Sequence, residues 1–256
     1  MRIRAIVAYD GTEYQGFQRQ ANGPTVQEAL ETALARVTCE EIRLWPAGRT
    51  DAGVHAAGQV IAFDTSWKHP LNTLQRALNA VLPPDVAVRD VVQARPDFHP
   101  RFDAFSRRYR YTVYNHPIRS PLVRRMSLHV PRELDVAAME ACAQAIVGQH
   151  GFATFGTPPQ GNNTVRTVVQ AGWRADWPWI TFDIEANAFL YRMVRSLVGT
   201  MLQVGLGRIT ATAFQEAFAA RDRARAGPTA EPQGLSLVEV KYESGVNKGE
   251  NLRNEA

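Results

Sequence analysis

The hydrophobic period of this chain switches from two residues to about 3.6 and back along its length, and that succession limits what it can fold into. RIRAIVAYD, from Arg2, alternates Ile3, Ala5 and Val7 on one face, as a half-buried strand requires. TVQEALETALARVT then sets Val26, Leu30, Ala33, Leu34 and Val37 at helical spacing, with Thr25 and Glu28 in capping-box order. EIRLW and GQVIAFDT read as strands around a glycine-containing loop. NTLQRALNAVL reads as a second amphipathic helix stopped by Pro83 and Pro84, and VAVRDVVQA and AFSRRYRYTVYN as further strands.

The second half repeats the theme. MSLHV is a short strand. DVAAMEACAQAIVG is a helix with Asp135 as N-cap and Gly148 near its end. VRTVVQAGWRA and WITFDIEA form a hairpin pair around DWPW. AFLYRMVRSLVGTMLQVG carries the strongest helical stripe, through Leu190, Met193, Val194, Leu197, Val198, Met201 and Leu202, with Asn187 before it as the cap candidate. ATAFQEAFAARD is a further helix, and LSLVEVKY a last strand. Strand pairs adjacent in sequence argue for an α+β fold with a largely antiparallel sheet. The break at NHPIRSPLVR divides the chain into halves at 1–115 and 116–243, and the polar tail 244–256 is expected to be disordered.

Composition narrows the function classes. With 45% hydrophobic and 21% charged residues among 256, the chain can bury a sizeable core as an ordinary globular protein. It has no apolar run of about 18 residues, so no membrane span is expected, and its N-terminus does not read as a secretory signal. Cys39 and Cys142 are its two cysteines and do not form a CxxC pair, so inert thiols in a cytoplasmic protein are expected. The six histidines show no metal-ligand spacing, and His55 reads as a structural or substrate-positioning residue. Neither a phosphate-binding glycine loop nor a serine elbow is present, and no metal or cofactor is expected.

The loop AGRTDAGVHAAGQV, residues 47–60, packs Arg49, Asp51 and His55 among small residues and glycines. An aspartate in a loop ordinarily serves as a cap or turn former. Here a nearby arginine could keep a carboxylate ionised and aimed, fit to attack an electrophilic sugar carbon or to take a proton beside it. The net charge of +4, with arginines clustered in RRYR, RSPLVRR and RDRAR, leans towards a polyanionic partner. Within SRRYRYTVY, strand geometry sets Arg107, Tyr109 and Tyr111 on one face and Arg108 and Arg110 on the other. Tyr111 reads as core. Tyr109 reads equally as core or as a ring on which an extruded base stacks.

Together, AGRTDAGVHAAGQV, RRYRY, ANAFLYRMVRSLVGTMLQVG and GLSLVEV resemble the tRNA pseudouridine synthase A family, in its order and spacing from YDGTEYQGFQRQ to about residue 242. The resemblance implies a pseudouridine synthase fold of two similar α/β-sandwich-like halves sharing a largely antiparallel sheet. It also implies a homodimeric isomerase that converts uridine to pseudouridine at positions 38, 39 and 40 of the tRNA anticodon stem-loop, without a cofactor. Asp51 matches the family's catalytic aspartate and Arg195 the arginine that pairs with it. Tyr109 matches the tyrosine that stacks on the uracil, Leu235 an apolar residue lining the pocket, and Arg49 a contact to the RNA backbone. One departure is Ser236, where family members commonly have an aromatic residue. Two other readings compete: a catalytically silent RNA-binding protein with the same basic cleft, and a glycoside hydrolase or nucleosidase. The last ordinarily needs a second carboxylate, and Asp64, Asp97 and Asp103 lack a comparable motif.

Overall fold

The computed structural model describes residues 1–243, so the tail expected to be disordered lies outside the described residues. The described chain forms two compact units, Met1–Phe105 with Glu239–Glu243, and Ser106–Val238. In the first, strand β1 (Arg2–Tyr9) is followed by helix α1 (Val26–Thr38), a two-residue strand β2 (Trp45–Pro46), β3 (His55–Asp64), α2 (Leu71–Val81) and β4 (Val86–Gln93). β1 lies between β3 and β4 and is antiparallel to both. The expected alternation holds: Ile3, Ala5, Val7 and Tyr9 are buried while the intervening residues are not. Val26, Leu30, Ala33 and Leu34 of α1 and Leu74 and Leu78 of α2 are buried in the same unit. Thr25 Oγ1 caps α1 by accepting the N–H of Glu28 at 3.3 Å.

EIRLW is not the strand its alternation suggests. Only Trp45 and Pro46 pair, opposite Ala62 and Ile61 of β3. The Leu44 N–H goes instead to Glu31 Oε1 at 3.2 Å, and Ile42 and Leu44 are buried by side-chain packing rather than by a ladder.

In the second unit, β5 (Ala104–Asn115) precedes β6 (Leu128–Val130), α3 (Val136–Gln144), β7 (Gly148–Gly151), β8 (Val165–Asp176) and β9 (Trp179–Ala186). Helices α4 (Met193–Gly205) and α5 (Ala211–Ala220) and strand β10 (Leu235–Tyr242) complete the element order, and β10 passes from the second unit back to the first. β5, β9, β8 and β7 follow one another as antiparallel neighbours, and β6 joins β5 in parallel. The pairing is thus largely antiparallel, as adjacency in sequence implies. The boundary expected after residue 115 falls about ten residues earlier. β5 pairs along most of its length with β9, from Arg107 opposite Ala186 to Tyr114 opposite Trp179, so it belongs with the second unit. NHPIRSPLVR is then a connection inside that unit, leading from β5 to β6.

Two helix ends also differ from expectation. α3 stops at Gln144, and Gly148, at φ +107°, opens β7 rather than closing the helix. α4 begins at Met193, and Asn187 does not cap it. The Asn187 side-chain oxygen accepts the Thr167 N–H at 3.0 Å, while its own N–H donates to the Thr167 carbonyl at 3.1 Å. Tyr191 is bridged to Thr157, so residues 188–191 are held out of the helix by these pairings. Arg192, at φ +60°, makes the turn into α4. The core of the unit includes Tyr111, Phe182, Ile184, Leu197, Val198 and Met201, with Phe155 stacked on Phe214 at 5.5 Å between ring centroids. Cys39 and Cys142 are free thiols, and burial pushes Cys142 up to about 11. Among the described residues no helix is long and apolar enough to cross a membrane.

Asp135 caps α3 as expected, its carboxylate accepting the Ala138 N–H at 2.9 Å. Replacing Asp135 with Ala removes that acceptor and is expected to cost about 1 kcal/mol of stability. Urea unfolding checks this, and an unchanged midpoint would show that the cap contributes nothing.

Candidate active site

The loop between β2 and β3 carries Arg49 and Asp51, and its shape is set by the chain that follows β1. Thr50 is nearly buried. Its carbonyl accepts the Phe17 N–H at 3.1 Å, and its hydroxyl lies 2.7 Å from the Tyr9 hydroxyl. Gly16, at φ +99°, lies against this peptide: a Cβ there would be 2.7 Å from the Thr50 carbonyl oxygen, so only glycine fits. On the other side of Asp51, the Gly53 N–H donates to the Tyr14 carbonyl at 3.2 Å, and the Val54 N–H closes a turn on the Asp51 carbonyl at 3.2 Å. The loop's start is tied to β3, where Ala47 N–H donates to Val60 and Gln59 Nε2 to the Gly48 carbonyl, both at 2.8 Å.

The bracing segment is itself anchored. The Tyr14 hydroxyl donates to Asp85 at 2.7 Å, and burial together with that bond raises its pKa above the ordinary phenol value. Val26 and Gln27, at the start of α1, donate their N–H groups to the Gly16 and Phe17 carbonyls. Asp51 thus sits between two fixed points with its side chain half-buried, and Arg49 two residues earlier is exposed. Such a loop can present an aimed carboxylate and a cation to a ligand. His55, at the start of β3, is 2% exposed and belongs to the bracing.

The second unit holds the other three candidates. On β5 the face of Arg107, Tyr109 and Tyr111 runs out of the core: Tyr111 is fully buried, whereas Tyr109 and Arg107 are half-buried. The Tyr111 hydroxyl donates to the Glu231 carbonyl at 2.7 Å. Burial raises its pKa, and the nearby Arg195 charge works against that rise. Tyr109 meets Phe189 edge-on, with ring centroids 5.0 Å apart and planes at 85°. Arg195, in the first turn of α4, donates through Nε to the Ala230 carbonyl at 2.8 Å, while the Ala230 N–H donates back to the Arg195 carbonyl at 3.0 Å. This reciprocal pair fixes the guanidinium beside the segment leading into β10. Leu235, the first residue of β10, is buried, and Ser236 next to it is half-buried.

The arginine clusters differ in character. Arg110 forms a double hydrogen bond with Asp183, and Arg107 donates to the Asn187 carbonyl at 2.8 Å. Arg119, Arg124, Arg125, Arg221, Arg223 and Arg225 are all exposed. Among the described residues no three His, Cys, Asp or Glu side chains are grouped so that they could hold a metal ion. Reading the sequence alone overlooked Tyr9, Tyr14, Gly16 and Phe17 as supports of the Asp51 loop. Their signal is present in YDGTEYQGF, where two glycines and two aromatic residues follow β1 directly.

Comparison with known proteins gives this geometry a family. The family described as tRNA pseudouridine synthase matches residues 5–103 and 142–243. Those stretches contain Arg49, Asp51, Arg195 and Leu235, and Tyr109 falls between them. Proteins called tRNA pseudouridine synthase A are similar nearly end to end. The Geobacter sulfurreducens protein is 45% identical over 241 residues, covering 94% of this chain and 99% of that protein. The Chloroflexus aurantiacus protein is 46% identical over 252 residues, covering 95% and 90%. The Moorella thermoacetica protein is 45% identical over 245 residues, covering 94% and 99%. The chain belongs to the tRNA pseudouridine synthase family.

Proposed function

We propose that this protein isomerises uridine to pseudouridine in tRNA, at positions 38, 39 and 40 of the anticodon stem-loop, with Asp51 as the catalytic carboxylate. The observation that carries this reading is the braced loop around Asp51 in a chain matched by the tRNA pseudouridine synthase family. In the reaction the bond from C1′ to N1 of the uracil breaks, the base turns, and a bond from C1′ to C5 forms. N1 gains a proton and C5 loses one, so no oxidant, reductant or group donor is consumed. The reaction can open with attack of Asp51 at C1′ or with removal of the 2′ proton, and either uses an ionised carboxylate held in a fixed direction.

Arg195 is the proposed catalytic arginine, supported by its fixed geometry against Ala230. The base must leave its stack, at a cost of a few kcal/mol. Stacking on Tyr109 would return about 1–3 kcal/mol of this. Arg49 would hold the RNA backbone, and Leu235 would help to exclude water from the detached base, where hydrolysis would leave an abasic site. The resemblance extends the reading to a homodimer, and the two free thiols, Cys39 and Cys142, suit the cytoplasm.

Pseudouridine formation in an unmodified tRNA transcript tests the reaction. The wild-type protein is expected to convert the uridine, and Asp51→Asn to lose about 1,000-fold or more in rate while still binding the transcript. Tight binding without conversion by the wild type would instead support a silent RNA-binding protein. If exposed arginines such as Arg119, Arg124 and Arg225 track phosphates, tRNA affinity should fall steeply between low and moderate salt. A flat dependence would leave those clusters as ordinary solvated surface.

A further inference from the structure

His55 lies at the far end of the turn that carries Asp51, and its imidazole is buried where the catalytic reading gives it nothing to do. Its Nδ1 is 3.0 Å from the Gly11 N–H, which donates to it. Asp10 Oδ1 stands 3.2 Å from the same nitrogen and is oriented by the Thr12 N–H at 3.0 Å and the Thr12 hydroxyl at 2.5 Å. Gly11 in turn lies directly on the Asp51 turn. A Cβ on Gly11 would be 2.0 Å from the carbonyl oxygen of Val54, the residue before His55.

Two backbone segments therefore pass in van der Waals contact at Gly11 and Val54, and the imidazole bonds one to the other. Thr50 fixes the near end of the Asp51 turn through Tyr9 and Phe17. Gly53 and His55 fix its far end through Tyr14 and Gly11.

We propose that His55 is a positioning residue for Asp51. Its Nδ1 clamps the far end of the turn to Gly11 and so sets the direction of the carboxylate, without touching the substrate. The proposal rests on the reading of Asp51 as the catalytic group. A side chain that accepts the Gly11 N–H at the Nδ1 position should preserve the clamp. Asparagine does so: its Oδ1 can accept from Gly11 while its Nδ2 faces the Asp10 carboxylate. Glutamine carries the same amide one bond further out, fills the space, and leaves Gly11 without an acceptor at that point.

The test compares kcat and KM for pseudouridine formation on a tRNA transcript in wild type, His55→Asn, His55→Gln and Asp51→Asn, at a temperature where circular dichroism shows each to be folded. His55→Gln should lose about tenfold or more in kcat with KM unchanged, because a displaced carboxylate slows the chemistry and not the binding. His55→Asn should recover most of that loss. Should His55→Gln fail to fold, His55→Ala, which removes the acceptor without adding bulk, takes its place. An unimpaired kcat in His55→Gln, an equal loss in both variants, or a loss confined to KM would overturn the clamp. If the wild type makes no pseudouridine at all, the underlying reading fails. An active wild type with an inactive Asp51→Asn and an unimpaired His55→Gln would instead remove the clamp alone.

Discussion

The candidate site depends first on one peptide, that of Thr50. Its carbonyl takes the Phe17 N–H, its hydroxyl meets the Tyr9 hydroxyl, and Gly16 clears the space beside it. Backbone groups in an irregular loop need partners once water is excluded. At Thr50 and Gly53 those partners come from a second loop, residues 10–17, rather than from a helix or a sheet ladder. Two loops that satisfy each other can be rigid without regular structure, and between them they hold the adjacent Asp51 half-exposed. Regular elements supply the frame: β1 ends at Tyr9, α1 begins at Val26, and the bracing loop runs between them.

Much of the architecture was legible because local and tertiary preferences agree. The last strand matches its expected range, Leu235 to Tyr242, and the hairpin around DWPW appears as β8 and β9. Asp135 caps α3 with the hydrogen bond its position suggests. The failures share a cause, which is a distant partner outcompeting a local one. Asn187 could have capped a helix, but Thr167 offers both a donor and an acceptor in ladder geometry. Leu44 could have joined a strand, but Glu31 on α1 takes its N–H. β7 carried no legible signal: Gly148–Gly151 is only four residues long and lacks apolar alternation, so its pairing with β8 is decided by the neighbour.

The site was legible in a different way. Asp51 and Arg49 stand out because a charge pair among glycines is unusual in a loop, and the resemblance names the remaining candidates. Tyr109 and Tyr111 share a face and a residue type, so their pattern alone cannot separate them. Position along the strand does: Tyr111 is buried and bonded to Glu231, while Tyr109 lies where that face emerges from the core. Likewise, arginines that look alike in sequence diverge in surroundings. Asp183 occupies Arg110, whereas Arg119 and Arg124 point into solvent. Exposed ion pairs contribute little stability, but each occupies a cation that a polyanion would otherwise have to win from its carboxylate.

The path of β10 has a consequence for how the protein is made. Most of the first unit lies within the chain's first 105 residues, yet among the described residues the unit also takes in Glu239–Glu243. There the Tyr242 hydroxyl donates to the Pro100 carbonyl at 2.8 Å, and the Tyr242 ring packs edge-on against Phe98 at 5.3 Å. During synthesis, the N-terminal unit emerges from the ribosome long before these contacts can form. The whole of Ser106–Val238 is translated in between. A single late strand thus supplies the last contacts of the part that was synthesised first.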